Sequence, residues 1–76
     1  MKGKVEKIVL KMQSGTIKNI YHDAVDIAKS TDCKHVEFPF NGIIVVVNQW
    51  LERELSSEQF TKIQEVIGND GEYVYL

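Results

Sequence analysis

Hydrophobic and polar positions alternate with two different periods along this 76-residue chain. From Lys4 to Met12 the period is two, with Ile8, Leu10 and Met12 on one side and Val5, Lys7, Val9 and Lys11 on the other. That is the pattern of a strand whose all-apolar side, Ile8, Leu10 and Met12, points inward. Gln13-Ser14-Gly15-Thr16 is a polar connection, after which the period becomes 3.6. Ile17, Ile20, Tyr21, Ala24, Ile27, Ala28 and Thr31 recur at helical spacing, while Lys18, His22, Asp26 and Lys29 fall opposite. The spacing predicts an amphipathic helix on a sheet. Thr16 is the expected N-cap, with Asn19 competing, because a short side-chain oxygen can accept from a free backbone N–H. The helix end near residues 30–33 has no terminating glycine.

His35 to Asn48, HVEFPFNGIIVVVN, returns to strand character around a two-residue Asn41-Gly42 turn. Asn-Gly tolerates the positive φ angles of a type I′ turn, so a hairpin follows. Its register places Phe40 opposite Ile43, Phe38 opposite Val45 and Val36 opposite Val47, six apolar residues on one core face. The other face carries His35, Glu37 and Pro39 with Ile44, Val46 and Asn48. Pro39 has no N–H, so its strand should lie at an edge or point the missing donor outward. Gln49 to Leu55 has no clear period; Trp50 and Leu51 either extend the strand or fold over the core. Ser56 with Gln59 forms a capping box, Leu55 and Phe60 a hydrophobic staple, and Phe60, Ile63, Val66 and Ile67 an inward stripe that stops at Gly68. After Asn69-Asp70-Gly71, residues Glu72 to Leu76 form a last strand.

The order β, α, β, β, α, β predicts a single α+β domain over residues 1–76 with ferredoxin-like organisation. In that arrangement the sheet has four strands, is mainly antiparallel, has its first and third strands central, and carries both helices on one face. The fold by itself assigns no function. Its open face would show Lys7, Val9, Lys11, Ile44 and Val46, together with Tyr73 and Tyr75; the opposite parity of the last strand would show Val74 and Leu76 instead and remove the stacking pair. Val9, Ile44, Val46, Tyr73 and Tyr75 are therefore the candidate interface, with Val9, Ile44 and Val46 as its apolar centre. Fully covering an aliphatic side chain contributes about 1.5–3 kcal/mol, enough to drive a homodimer or hold a partner protein such as a host protein. The alternative use of this face is as a ligand site. Tyr73 and Tyr75 would stack a base while Lys7 and Lys11 meet phosphate, which suits a small anionic, nucleotide-like ligand or a single-stranded nucleic acid. Nucleic acid is the poorer fit, because RNA-binding sheets carry their stacking aromatics on central strands.

Charge and cysteine content narrow the classes further. Residues 1–34 hold seven lysines against four acids, +3, and residues 35–76 hold Arg53 and Lys62 against seven acids, −5, for a net charge of −2. The acidic second half would repel a long phosphate backbone. A lone Cys33 can form no internal disulfide, and a reducing, cytoplasmic setting is the simplest expectation. Glu6, Lys7 and Lys11 interrupt the first apolar run short of a signal region, and no membrane segment is expected.

No catalytic constellation emerges. His22 and Asp26 lie four apart and could chelate a metal, but two ligands are too few. Cys33 and His35 lack a third group to orient the histidine. The glycines are isolated turn residues, not a phosphate loop. The QSGT connection lacks the arginine of acylphosphatases and the paired cysteines of heavy-metal carriers. The expectation is a protein with no enzymatic activity, no metal and no cofactor.

In length, in its cap-then-helix entry after a glycine turn, and in the strand pair EFPFNGIIVVVN followed by a short acidic helix, the chain resembles small phage- or prophage-encoded accessory proteins. Several classes of these inhibit host proteins or block bacterial defence systems. The resemblance implies an inhibitor or anti-defence binder, often an oligomer, that occupies another macromolecule's surface or sequesters a small signal. It carries no functional residue across.

Overall fold

The computed structural model describes residues 6–76. The elements follow the expected order: β1 (Lys7–Val9), α1 (Ile17–Thr31), β2 (His35–Phe40), β3 (Ile43–Val47), α2 (Ser57–Val66) and β4 (Tyr73–Tyr75). Local signals set their ends. The Thr16 hydroxyl accepts from the Asn19 N–H at 3.3 Å and caps α1. Asp32 takes the left-handed conformation at its other end, φ 53°, the role a glycine would ordinarily fill. Ser56 and Gln59 close the capping box of α2 from both sides, and Gly68 follows α2 with φ 104°.

The hairpin has the expected register, with Phe40 opposite Ile43, Phe38 opposite Val45 and Val36 opposite Val47. Asn41 at φ 48° and Gly42 at φ 85° supply the two positive angles its turn needs. Val36, Phe38, Ile43, Val45 and Val47 are completely buried, together with Tyr21, Ala24, Val25, Ala28, Cys33 and Ile63.

The sheet order differs from the ferredoxin-like one. It runs β1-β2-β3-β4, so β2 and β3 are central and β1 and β4 are the edges. β1 pairs parallel with β2 and β4 parallel with β3, which leaves the hairpin as the sheet's antiparallel pair. The sheet is therefore mixed. Pro39 is accommodated inside a central strand by the end of its neighbour. In a two-residue hairpin Phe40 and Ile43 exchange hydrogen bonds, so Pro39, one residue away, faces β1 with its backbone. There the ladder runs from the His35 N–H on the Glu6 carbonyl to the Leu10 N–H on the Glu37 carbonyl. β1 itself ends at Val9, before Pro39 would have to donate.

Both helices lie on one face. Ile63 of α2 and Val74 of β4 share the core with Ile20, Tyr21, Ala24 and Val25 of α1, while the opposite face leaves Val9, Tyr73 and Tyr75 exposed. The steps from β1 to β2 and from β3 to β4 go the same way across the sheet, yet the two strand pairs point in opposite directions. Helices on a common face then require crossovers of opposite hand. One of them is left-handed, the hand that only about 2% of βαβ units use.

Two sequence expectations are corrected by packing depth. Met12 is 79% exposed, because the ladder ends before it; the Lys4 and Val5 part of the expected strand lies outside the described residues. Within α2 only Ile63 is fully buried, whereas Phe60 and Ile67 are exposed and Val66 is half-buried. Of the two readings of residues 49–55 the structure has the connection: they form turns and bends, pack Leu51 and Leu55 against the core and are tied to α1 by Tyr21 and Lys29.

Candidate open sheet face

Strand alternation puts Lys7 and Val9 on the same face as His35, Glu37, Pro39, Ile44, Val46, Tyr73 and Tyr75. The register then arranges them in rows: Val9, Glu37, Val46 and Tyr75 form one row across the four strands, and Pro39, Ile44 and Tyr73 the next. The last strand thus presents both tyrosines, and not Val74, to the open side. Their rings stack with centroids 6.2 Å apart and planes inclined by 18°. They are 51% and 61% exposed, on the outermost strand of the sheet.

The candidate interface residues share this face, but they do not form one apolar centre. With β1 next to β2, Val9 is separated from Val46 by Glu37. Val46 is only 3% exposed and Glu37 8%, so the middle of the face is already closed by side chains within the chain. Glu37 carries an ion pair with Lys7 at 3.5 Å. Exposed apolar surface remains at the two edges: the tyrosine pair on β4 and Val9, 65% exposed, on β1.

The ligand alternative loses its geometry for the same reason. Lys7 and Lys11 belong to the β1 side and Tyr73 and Tyr75 to the β4 side. Three strand spacings separate those edges, about 14 Å. The sheet order does not bring the lysines and tyrosines together within one chain.

A second polar site forms on α1. Arg53 approaches Asp26 with both arms of its guanidinium, Nε donating to Oδ1 at 2.7 Å and Nη2 to Oδ2 at 3.0 Å. The same Nη2 lies 2.6 Å from His22 Nε2. The hydrogen bond from Arg53 holds the Asp26 carboxyl below its usual range, with desolvation opposing and the Arg53, His22 and Lys29 charges assisting. Asp26 is therefore engaged by a cation and not offered to a metal. Among the described residues no group of three or more His, Cys, Asp or Glu side chains could hold a metal ion.

Arg53 belongs to an anchored strap. Lys29 Nζ donates to the Gln49 carbonyl at 2.8 Å, and the Tyr21 hydroxyl donates to the Glu52 carbonyl at 2.7 Å. Burial pushes the Tyr21 phenol above its usual range; the Glu52 charge adds to this and a hydrogen bond with Gln59 opposes it. The strap displays Trp50, 69% exposed, on the helix side of the molecule, so it does not cover the open sheet face. A cleft of about 350 Å³ between Lys18, His22, Arg53 and Leu55 is lined by the same clasp. In the sequence Arg53 stands between Glu52 and Glu54, and nothing local joins it to partners 27 and 31 residues away.

Cys33 is buried and its thiol donates to the backbone carbonyl of His35 at 3.0 Å. No helix among the described residues is long and apolar enough to cross a membrane. Comparison with known proteins finds no matching family model, no matching curated protein and no matching solved structure.

Proposed function

We propose that this chain is a non-enzymatic interaction module that self-associates through its open sheet face. The observation that carries the reading is the stacked, exposed Tyr73–Tyr75 pair on a helix-free sheet face. Tyrosine supplies a large contact area with few rotors to freeze, and aromatic residues are enriched at protein interfaces. The face also carries both signs of charge in Lys7 and Glu37, which lets it meet a copy of itself without net repulsion. The inhibitor role implied by the resemblance to phage accessory proteins rests on that resemblance alone and names no residue. The ligand reading has no comparable support, since its cations and aromatics stand at opposite edges.

Light scattering over a dilution series, at low and high salt, tests the proposal. The expected result is a mass approaching twice the 8.7 kDa chain at high concentration, reduced toward the single chain by Tyr75→Lys with the helical circular dichroism unchanged. A wild-type mass of one chain at every concentration would refute it.

A further inference from the structure

The partition of the open face suggests how two copies would meet. Its β4 edge carries aromatic surface, its β1 edge carries Lys7 and Val9 with Lys11 just beyond, and its middle is closed. Two-fold axes lying between facing sheets can run across the strands or along them. An axis across the strands sets each edge on its own equivalent, so tyrosines face tyrosines, and Lys7, already paired with Glu37, and Lys11 gain no aromatic partner. An axis along the strands, passing between β2 and β3, sets the β1 edge of one copy over the β4 edge of the other. The rows are preserved by that rotation, so Val9 of the second copy lies over Tyr75. Lys11 falls near Tyr73 and Lys7 just past Tyr75. A lysine over a tyrosine face is attractive, through the ring's negative surface.

We infer that the chain forms a face-to-face dimer with its two-fold axis along the strands, in which Tyr73 and Tyr75 of each copy cover Val9 and Lys11 of the other. This rests on the self-association reading and adds to it the pairing of unlike edges. The lysines and tyrosines that no single chain brings together then become neighbours twice in the dimer.

The pairing makes a prediction that no other two-fold arrangement shares. One variant, Tyr73→Thr with Tyr75→Thr, removes the aromatic edge and keeps β-forming residues. The other, Val9→Asn, spoils the opposite edge at an exposed position without changing its charge. Each alone should weaken the homodimer by roughly tenfold or more in Kd. Mixed together they should form a heterodimer tighter than either homodimer, because one of its two contacts is fully native. Analytical ultracentrifugation with one variant fluorescently labelled reads all three constants. If like edges met instead, the mixed Kd would fall at the geometric mean of the two homodimers, overturning the axis while leaving self-association standing. A wild-type chain that stays monomeric overturns both. Should the double threonine variant lose its helical signal, Tyr75→Thr alone replaces it in the same mixture.

Discussion

α2 is the most weakly held element, and Ile63 carries most of its attachment. Ile63 is its one completely buried side chain, and the helix packs chiefly against the short edge strand β4. Lys62 Nζ adds a single bond to the Tyr75 carbonyl at 3.0 Å. A ten-residue helix is marginal without tertiary contacts, since isolated helices shorter than about 12–15 residues rarely persist in water. Truncating a buried isoleucine to alanine costs about 2–5 kcal/mol. A domain of this size is stable by only about 4–11 kcal/mol, at about 0.05–0.15 kcal/mol per residue. α2 with β4 should therefore open as a unit at a free energy below that of global unfolding. Native-state hydrogen exchange separates the two levels, and two variants test them. Ile63→Ala raises only the native state, so it lowers the opening energies of α2 and hairpin amides equally, bringing that of α2 near zero. Val25→Ala acts at a completely buried position on α1, which stays packed when α2 opens. It should lower hairpin protection by roughly 1.5–3 kcal/mol and leave α2 opening unchanged. If α2 and hairpin amides share one opening energy in the wild type and both move with Val25→Ala, α2 is not a separate unit and the reasoning fails.

Two further predictions concern the strap over α1. Tyr21→Phe removes the donor to the Glu52 carbonyl, and denaturant melts should show a loss of about 0.5–1.5 kcal/mol. Because the folded phenol titrates above its ordinary 10.0, Tyr21 favours folding fully below that value and loses its contribution as pH rises through the folded one; alkaline melts of Tyr21→Phe should lack that decline. Asp26 has the opposite sign. Its carboxyl titrates below the ordinary 3.8, so its contribution is present above that pH and disappears as acidity passes through the lower folded value. The difference in thermal midpoint between wild type and Asp26→Asn should be small at neutral pH, shrink with added salt and vanish in strong acid. A difference that survives acid would mean that Arg53 is not its source.

The parts of this structure legible in the sequence are those written by neighbours in the chain. Asn41-Gly42 fixes the hairpin register, and Ser56 and Gln59 fix the start of α2; which side of the last strand faces out is set by its pairing with β3 and not by its own alternation. Strand order was not legible, because β1 shows the same inward and outward residues whether it joins β2 or β3. That ambiguity displaced the candidate site: Val9 met Glu37 instead of Ile44 and Val46, so one expected patch became two edges. Depth was not legible either. Periodicity names the inward side of α2 but cannot say that the helix sits high enough to leave Phe60 and Ile67 exposed. The Arg53 clasp needed contacts across nearly half the chain.

The unlike hands of the two crossovers bear on ancestry. Each half of the chain is a strand, a helix and a parallel strand, an arrangement that invites descent from one duplicated unit. Rotating the first half by 180° about the sheet normal does lay it on the second, but it sets β1 on β4 and β2 on β3, with chain order reversed. A tandem copy keeps its order and its hand. The second half therefore cannot be a structural repeat of the first, and a gene built by fusing two copies of either half should not reproduce this sheet.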